Sequence, residues 1–155
     1  MLQQGENCPA CNLLGESVRI ITVKNLVKDE YKTFIKDLEY RICLNAICDL
    51  VYYSVPHGVN FFKDQIRVPV WFKKDAYPKY ACYCSKVQED DIVRAVKEFG
   101  LKTVRDVCIK TGAMKNPNCT ANNPLGKCCH KTIQKIIDDS LKPTKKLTKK
   151  IIVRR

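Results

Sequence analysis

Several absences narrow the reading of this 155-residue sequence before any motif is considered. Its opening stretch, Met1-Leu2-Gln3-Gln4-Gly5-Glu6-Asn7, has no basic region followed by an apolar run, so no secretory leader is expected. No window approaches the roughly 18 uncharged apolar residues of a membrane-spanning helix. There is no Gly-rich phosphate loop, no G-x-S-x-G and no placeable pair of carboxylates, so nothing points to a hydrolytic or transfer enzyme. Histidine is scarce, with two residues in the chain. His57 sits in the turn-like Val55-Pro56-His57-Gly58, and His130 directly follows a cysteine. His57 is expected as an exposed turn residue rather than a zinc ligand, and because a Rieske-type site needs two histidines on one iron, His130 is not expected as an iron ligand. Acid is also short: 28 Lys and Arg against 16 Asp and Glu give a net charge of +12. Seven of those basic residues and no acid lie in residues 141–155. That basic tail is a candidate contact for nucleic acid or an acidic partner.

Cysteine is abundant instead. Ten cysteines without an export signal read as reduced thiols, hence as metal ligands in a cytoplasmic protein. They fall into groups: Cys8 and Cys11, Cys43 and Cys48, Cys82 and Cys84, Cys108 alone, then Cys119, Cys128 and Cys129. The irregular stretch 68–78, with two prolines, reads as a linker between halves holding four and six cysteines. The expected boundaries are 1–74 for a β-rich unit, 75–140 for a helical unit and 141–155 for the tail.

In the first half, the β-branched run 17–23 predicts a strand and residues 25–34 a short helix or turn. Residues 39–43 and 49–55 predict strands flanking the second cysteine pair, and 59–63 with 65–70 a further hairpin. The aromatics Tyr52, Tyr53, Phe61, Phe62, Trp71 and Phe72 read as core rather than as a nucleic-acid stacking platform. In the second half, three acids at Glu89-Asp90-Asp91 open a helix with Ile92, Val93, Val96 and Phe99 as its stripe and Gly100 as its stop. Thr103-Val104-Arg105-Asp106 is a capping-box-like start, with Gly112 as the next stop. Cys108 falls on that helix's apolar stripe and reads as a small core residue. Cys129, Ile133, Ile136 and Ile137 then recur at helical spacing. The fold class is therefore α+β.

Cys8-Pro9-Ala10-Cys11 and Cys43-Leu44-Asn45-Ala46-Ile47-Cys48 are C-x2-C and C-x4-C knuckles, which suit one structural zinc held by four thiolates. Asp49 is a weaker substitute ligand beside Cys48. Cys82-Tyr83-Cys84 differs, because C-x-C aims two sulfurs at one atom only in an extended or loop conformation. With Cys119 and Cys128 or Cys129 it supplies four thiolates, two per iron for a [2Fe-2S] cluster. A second zinc is the alternative occupant.

Those residues carry a resemblance. Cys82-x-Cys84, the acids at 89–91, two short capped helices and a thiolate pair opening a helix resemble the BFD-like [2Fe-2S] domain, named for bacterioferritin-associated ferredoxin. The family's second motif is C-x2-C, whose first cysteine falls here at Gly126, while Cys119 lies in a longer loop. That variant is similar to the N-terminal domain of archaeal CopZ-type copper chaperones, where a zinc site precedes a [2Fe-2S] site in the same order. The family places apolar residues 4, 7 and 8 positions after the last ligand. Ile133, Ile136 and Ile137 satisfy this from Cys129, whereas Cys128 would bring Thr132, Lys135 and Ile136 there. Cys129 is thus the expected ligand and Cys128 the alternative.

The resemblance implies cluster ligands Cys82, Cys84, Cys119 and Cys129, and zinc ligands Cys8, Cys11, Cys43 and Cys48. It implies electron transfer linked to copper handling, Cu(II) to Cu(I), with copper ions, a copper-carrying chaperone or pump, or another redox protein as partners. An electron carrier or metallochaperone accessory is expected rather than an enzyme. The copper-binding M-x-C-x-x-C module of that family is not found in this sequence, which ends in Lys and Arg. The competing reading is a non-redox zinc module touching nucleic acid or an acidic partner through the tail.

Overall fold

The computed structural model describes residues 6–115 and 117–142. In its first half the strands β1 (Glu16–Val18), β2 (Tyr40–Ile42), β3 (Leu50–Ser54) and β4 (Val59–Phe62) form one antiparallel sheet in that order. The predicted strands at 39–43, 49–55 and 59–63 are all present within a residue or two. Every residue of the central β3 is buried, because both faces of the sheet are covered. Neighbouring side chains on a strand point to opposite faces. Tyr52 accordingly joins the main apolar cluster with Phe61 and Tyr53 the cluster of Cys8, Cys43 and Cys48, while an irregularity between Leu50 and Tyr52 breaks the alternation and places Val51 with the first and Leu50 with the second.

The run 17–23 is not one strand. It leaves β1 at Val18 and enters the helix α1 (Ile20–Leu26). Intrinsic preference of β-branched residues is a weak prior that packing overrides. As a helix, the segment buries Thr22, Val23 and Leu26 on one side. A 3-10 turn follows over Asp29–Phe34, within the stretch expected as helix or turn. The expected strand 65–70 is also absent, and only the single bridge Val27–Ile66 remains of it. Phe62 is half-exposed rather than core, since it falls on the outward face of β4.

The second half opens with the small hairpin β5 (Tyr80–Cys82) and β6 (Val87–Gln88). Then come α2 (Glu89–Phe99), α3 (Val104–Thr111), α4 (Cys119–Asn122) and α5 (His130–Leu141). Local signals account for α2 and α3. The Asp91 carboxylate accepts the Gln88 N–H at 2.9 Å, and the Thr103 hydroxyl accepts the Asp106 N–H at 3.1 Å. Gly100 and Gly112 end the two helices in the left-handed conformation. A second apolar cluster gathers Ile92, Ala95 and Val96 from α2, Val107 from α3 and Ile133, Ile136 and Ile137 from α5. Cys108 packs against it, half-buried. Among the described residues no helix is long and apolar enough to cross a membrane. Beyond Lys142 the basic tail lies outside the described residues.

The two halves are stitched by a segment the sequence did not mark, α4 and the turn after it. α4 packs on α1 of the first half. Thr22 donates its hydroxyl to the Thr120 carbonyl at 2.7 Å, and Tyr52 donates its own to the Pro124 carbonyl at 2.6 Å. Lys127 pairs with Glu16, and Leu125 packs onto the first cluster. Gly126 sits at φ +69°, and a Cβ there would run into the Thr22 hydroxyl. Gly126→Ala is therefore expected to destabilise by about 1–2 kcal/mol from the left-handed conformation alone. The melting temperature should fall by about 2–4 °C for each of those kcal/mol. An unchanged melting curve would show that this seam does not contribute to stability.

The expected linker is not free either. Val70 and Lys73 are buried. Tyr83, between the two cysteines of C-x-C, donates its hydroxyl to the Pro69 carbonyl and accepts the Trp71 N–H at 3.0 Å.

Candidate metal centres

The first centre is built from two loops that the sheet brings together. Cys8-x2-Cys11 lies in the segment leading to β1, and Cys43-x4-Cys48 connects β2 to β3. Tyr53 fixes the first loop from both ends, since its hydroxyl donates to the Glu6 carbonyl at 2.5 Å and accepts the Gly15 N–H at 3.0 Å. Gly15 has to be glycine for this, as a Cβ would strike the Tyr53 hydroxyl and the Ile42 carbonyl. The four sulfurs lie within 4.8 Å of one another, with Cys8–Cys48 at 3.8 Å and Cys11–Cys43 at 3.6 Å. A tetrahedral zinc with Zn–S bonds of about 2.3 Å requires S···S separations of about 3.8 Å. The donor set fits that ion.

Electrostatics lead to the same fit. Burial raises the Cys8 thiol and pushes Cys43 up to about 12, the latter opposed by the Asn45 N–H and the positive charge of Lys73. For Cys11, burial also raises, but the Leu13 N–H, the Asn45 side chain and the neighbouring thiols outweigh it and hold the group at about 7. Four sulfurs this close do not all ionise without a cation between them. Asp49 takes no part: its largely exposed carboxylate pairs with Lys63 at 3.2 Å. His57 is exposed at the end of the 3-10 turn after β3.

The cysteines of the second half are arranged differently. Among the described residues, the first tetrad is the only set of three or more metal-ligating side chains whose donor atoms all lie within 4.8 Å of one another. Cys82, Cys84, Cys119 and Cys129 come together as two pairs instead. Cys84 and Cys119 have sulfurs 3.7 Å apart and are half-buried. Cys82 and Cys129 are both buried and neighbour one another. The Cys129 thiol beside it, with the Met114 N–H donating to the sulfur at 3.3 Å, holds the ionisation of Cys82 well below the usual thiol range. The neighbouring Cys82, with burial, pushes Cys129 well above that range. Burial and the neighbouring Cys84 raise Cys119 to about 11. The Asn118 N–H donates to the Cys84 sulfur at 3.0 Å. Cys119 enters through α4, so the seam with α1 sets where this sulfur sits. Cys128 is exposed beside the buried Cys129, and His130, also exposed, begins α5.

Three participants escaped sequence reasoning. Tyr53, α4 and Lys73 act through contacts between residues distant in the chain, and no local pattern announces them. Lys73 is 4% exposed, and its ammonium donates to the Asn45 and Leu50 carbonyls, both at 2.9 Å.

Residues 5–67 match a protein family described as a zinc binding domain of the CopZ type. The copper chaperone CopZ of Archaeoglobus fulgidus is 31% identical over 129 residues, which cover 83% of this chain and 60% of that protein. The chain thus spans 60% of the length of this curated relative. The X-ray structure of the A. fulgidus CopZ N-terminal domain superposes with a TM-score of 0.71 at 31% identity, covering 84% of this chain and 96% of that one. With the four-cysteine site assembled within the matched region, this chain belongs to the family of the CopZ N-terminal domain and carries its zinc binding domain.

Proposed function

We propose that the chain is a two-centre redox protein of copper handling. Zinc is held by Cys8, Cys11, Cys43 and Cys48, and a [2Fe-2S] cluster by Cys82, Cys84, Cys119 and Cys129. The units are residues 1–74 and 75–140, the second of the BFD-like type, in a reducing, cytoplasmic setting. The observation that carries the second centre is the arrangement of its sulfurs in two pairs rather than a tetrad. One zinc would need all four sulfurs mutually close. Two irons bridged by sulfide need two sulfurs each. The burial of Cys129, in contrast to the exposed Cys128, supports Cys129 as the fourth ligand.

A bound [2Fe-2S] cluster supplies one-electron transfer, with a potential set by hydrogen bonds to sulfur and by exposure. The chain's residues tune both. The N–H groups of Met114 and Asn118 point at Cys82 and Cys84 and stabilise negative charge on those sulfurs. Cys82 and Cys129 are shielded, whereas Cys84 and Cys119 lie nearer solvent and form the side from which an electron leaves. The relative's name brings copper to this reading. Cu(II) would be the acceptor, taking one electron to become Cu(I), with the exposed Cys128 offering a soft sulfur nearby. The net charge of +12 favours encounter with an acidic copper-carrying chaperone or pump.

Anaerobically purified protein should contain about two iron, two sulfide and one zinc per chain and absorb in the visible. After reduction with dithionite and removal of excess reductant, one equivalent of Cu(II) should lose its EPR signal as the cluster is reoxidised. A colourless protein with two zincs would replace this reading with the non-redox zinc module. Persistent Cu(II) beside a reduced cluster would leave an electron carrier for another partner.

A further inference from the structure

Resting on the zinc reading above, we propose that Lys73, six residues beyond the matched zinc binding domain, is the counter-cation of the zinc–tetrathiolate centre. A dication held by four thiolates carries a net charge of −2, and this site is largely buried, with Cys8 and Cys43 at 1% and 0% exposure. Buried charge is costly unless charge of the other sign lies near it.

Lys73 presents the complementary problem. It is one of four buried polar or charged residues among those described, and no carboxylate forms an ion pair with it there. Its ammonium bridges the carbonyls of Asn45, two residues after Cys43, and Leu50, two residues after Cys48. Carbonyl dipoles satisfy its hydrogen bonds but do not neutralise it. The thiolate centre on the same loop does. The segment that delivers Lys73 is itself docked on the knuckle, since the Lys74 N–H donates to the Ala46 carbonyl at 2.7 Å. One cation thus ties the interior of the knuckle at Asn45 to the start of β3 at Leu50. Lys73 is thus a positioning and charge-compensating residue and not a ligand.

The experiment is a zinc competition titration against a chromophoric chelator on the full chain. Lys73→Met, Lys73→Gln and Lys73→Arg are compared, each alone and together with Cys11→His, which lowers the centre's charge to −1. Tight zinc binding by the unsubstituted chain tests the zinc reading separately. Lys73→Met is expected to weaken zinc binding about 10- to 100-fold, the range usual for outer-shell partners. Lys73→Arg, which keeps the charge, should stay within a few-fold of the unsubstituted chain. In the Cys11→His background the loss should shrink markedly, because less charge remains to be compensated. Equal losses in both backgrounds, or an Arg variant as impaired as Met, would assign Lys73 to shape alone and overturn the proposal. If the Met variant does not fold, the rate of chelator-driven zinc release from Lys73→Gln decides, and release no faster than from the unsubstituted chain also overturns it.

Discussion

Replacing Cys43 by serine is expected to remove the zinc and unfold the β-rich half with it. Cys43 is the most deeply buried of the four, and three thiolates do not close a tetrahedral structural site. Structural zinc contributes an apparent ~10–16 kcal/mol in small zinc domains at neutral pH. That is as large as the ~5–15 kcal/mol by which whole domains are stable. The sheet's core is small, so it does not survive that loss. The near-ultraviolet circular dichroism of buried Tyr40, Tyr52 and Tyr53 should collapse. The damage should also reach the second centre, because α4 rests on α1 and Cys119 opens α4. Iron content should therefore fall below that of the unsubstituted chain in the same anaerobic preparation. Undiminished tyrosine dichroism without zinc would show that the sheet stands alone.

The converse double substitution, Cys82→Ser with Cys84→Ser, should behave asymmetrically. It removes one sulfur from each of the two pairs, so the visible absorption and the iron should be abolished. About one zinc per chain should remain, since no zinc-site sulfur comes from beyond residue 48. The sheet and its apolar cluster draw on the second half through Leu125, Lys127 and the Pro124 and Thr120 carbonyls, which the helical bundle's own core can still present. Metal analysis and tyrosine dichroism read both parts together. Loss of zinc along with iron would mean that the halves form one cooperative unit and would move the boundary proposed near residue 75.

Much of this molecule is readable from its sequence because the relevant physics is local. Spacing within C-x2-C and C-x4-C sets two sulfurs on one turn, and the knuckles duly meet at 3.6–3.8 Å. The acids that open α2, the cap at Thr103, stops at Gly100 and Gly112, and the period of Ile133, Ile136 and Ile137 each depend on residues within two turns of one another. Strands β2, β3 and β4 were legible for the same reason, as short apolar and aromatic runs between turn residues.

Other features were decided only when distant segments met. Residues 20–26 carry a strand-like composition, yet they coil because a helix lets Thr22, Val23 and Leu26 bury together and lets Thr22 reach Thr120, 98 residues away. The stretch 68–78 has the proline content of a linker, but Tyr83 and the second knuckle hold it down. No periodicity marks Cys119 as part of a helix, since α4 is one turn long and exists against α1. The register of Ile133, Ile136 and Ile137 favoured Cys129 over Cys128 in the sequence, but only the packing of the second core shows that Cys129 is buried and Cys128 exposed. The sequence by itself marked the four sulfurs that meet in the first half and where α2 and α3 of the second begin and end. Tertiary structure alone decided how the second set of sulfurs divides into pairs and which lysine lies buried beside the first, because both depend on long-range packing that leaves no trace in neighbouring residues.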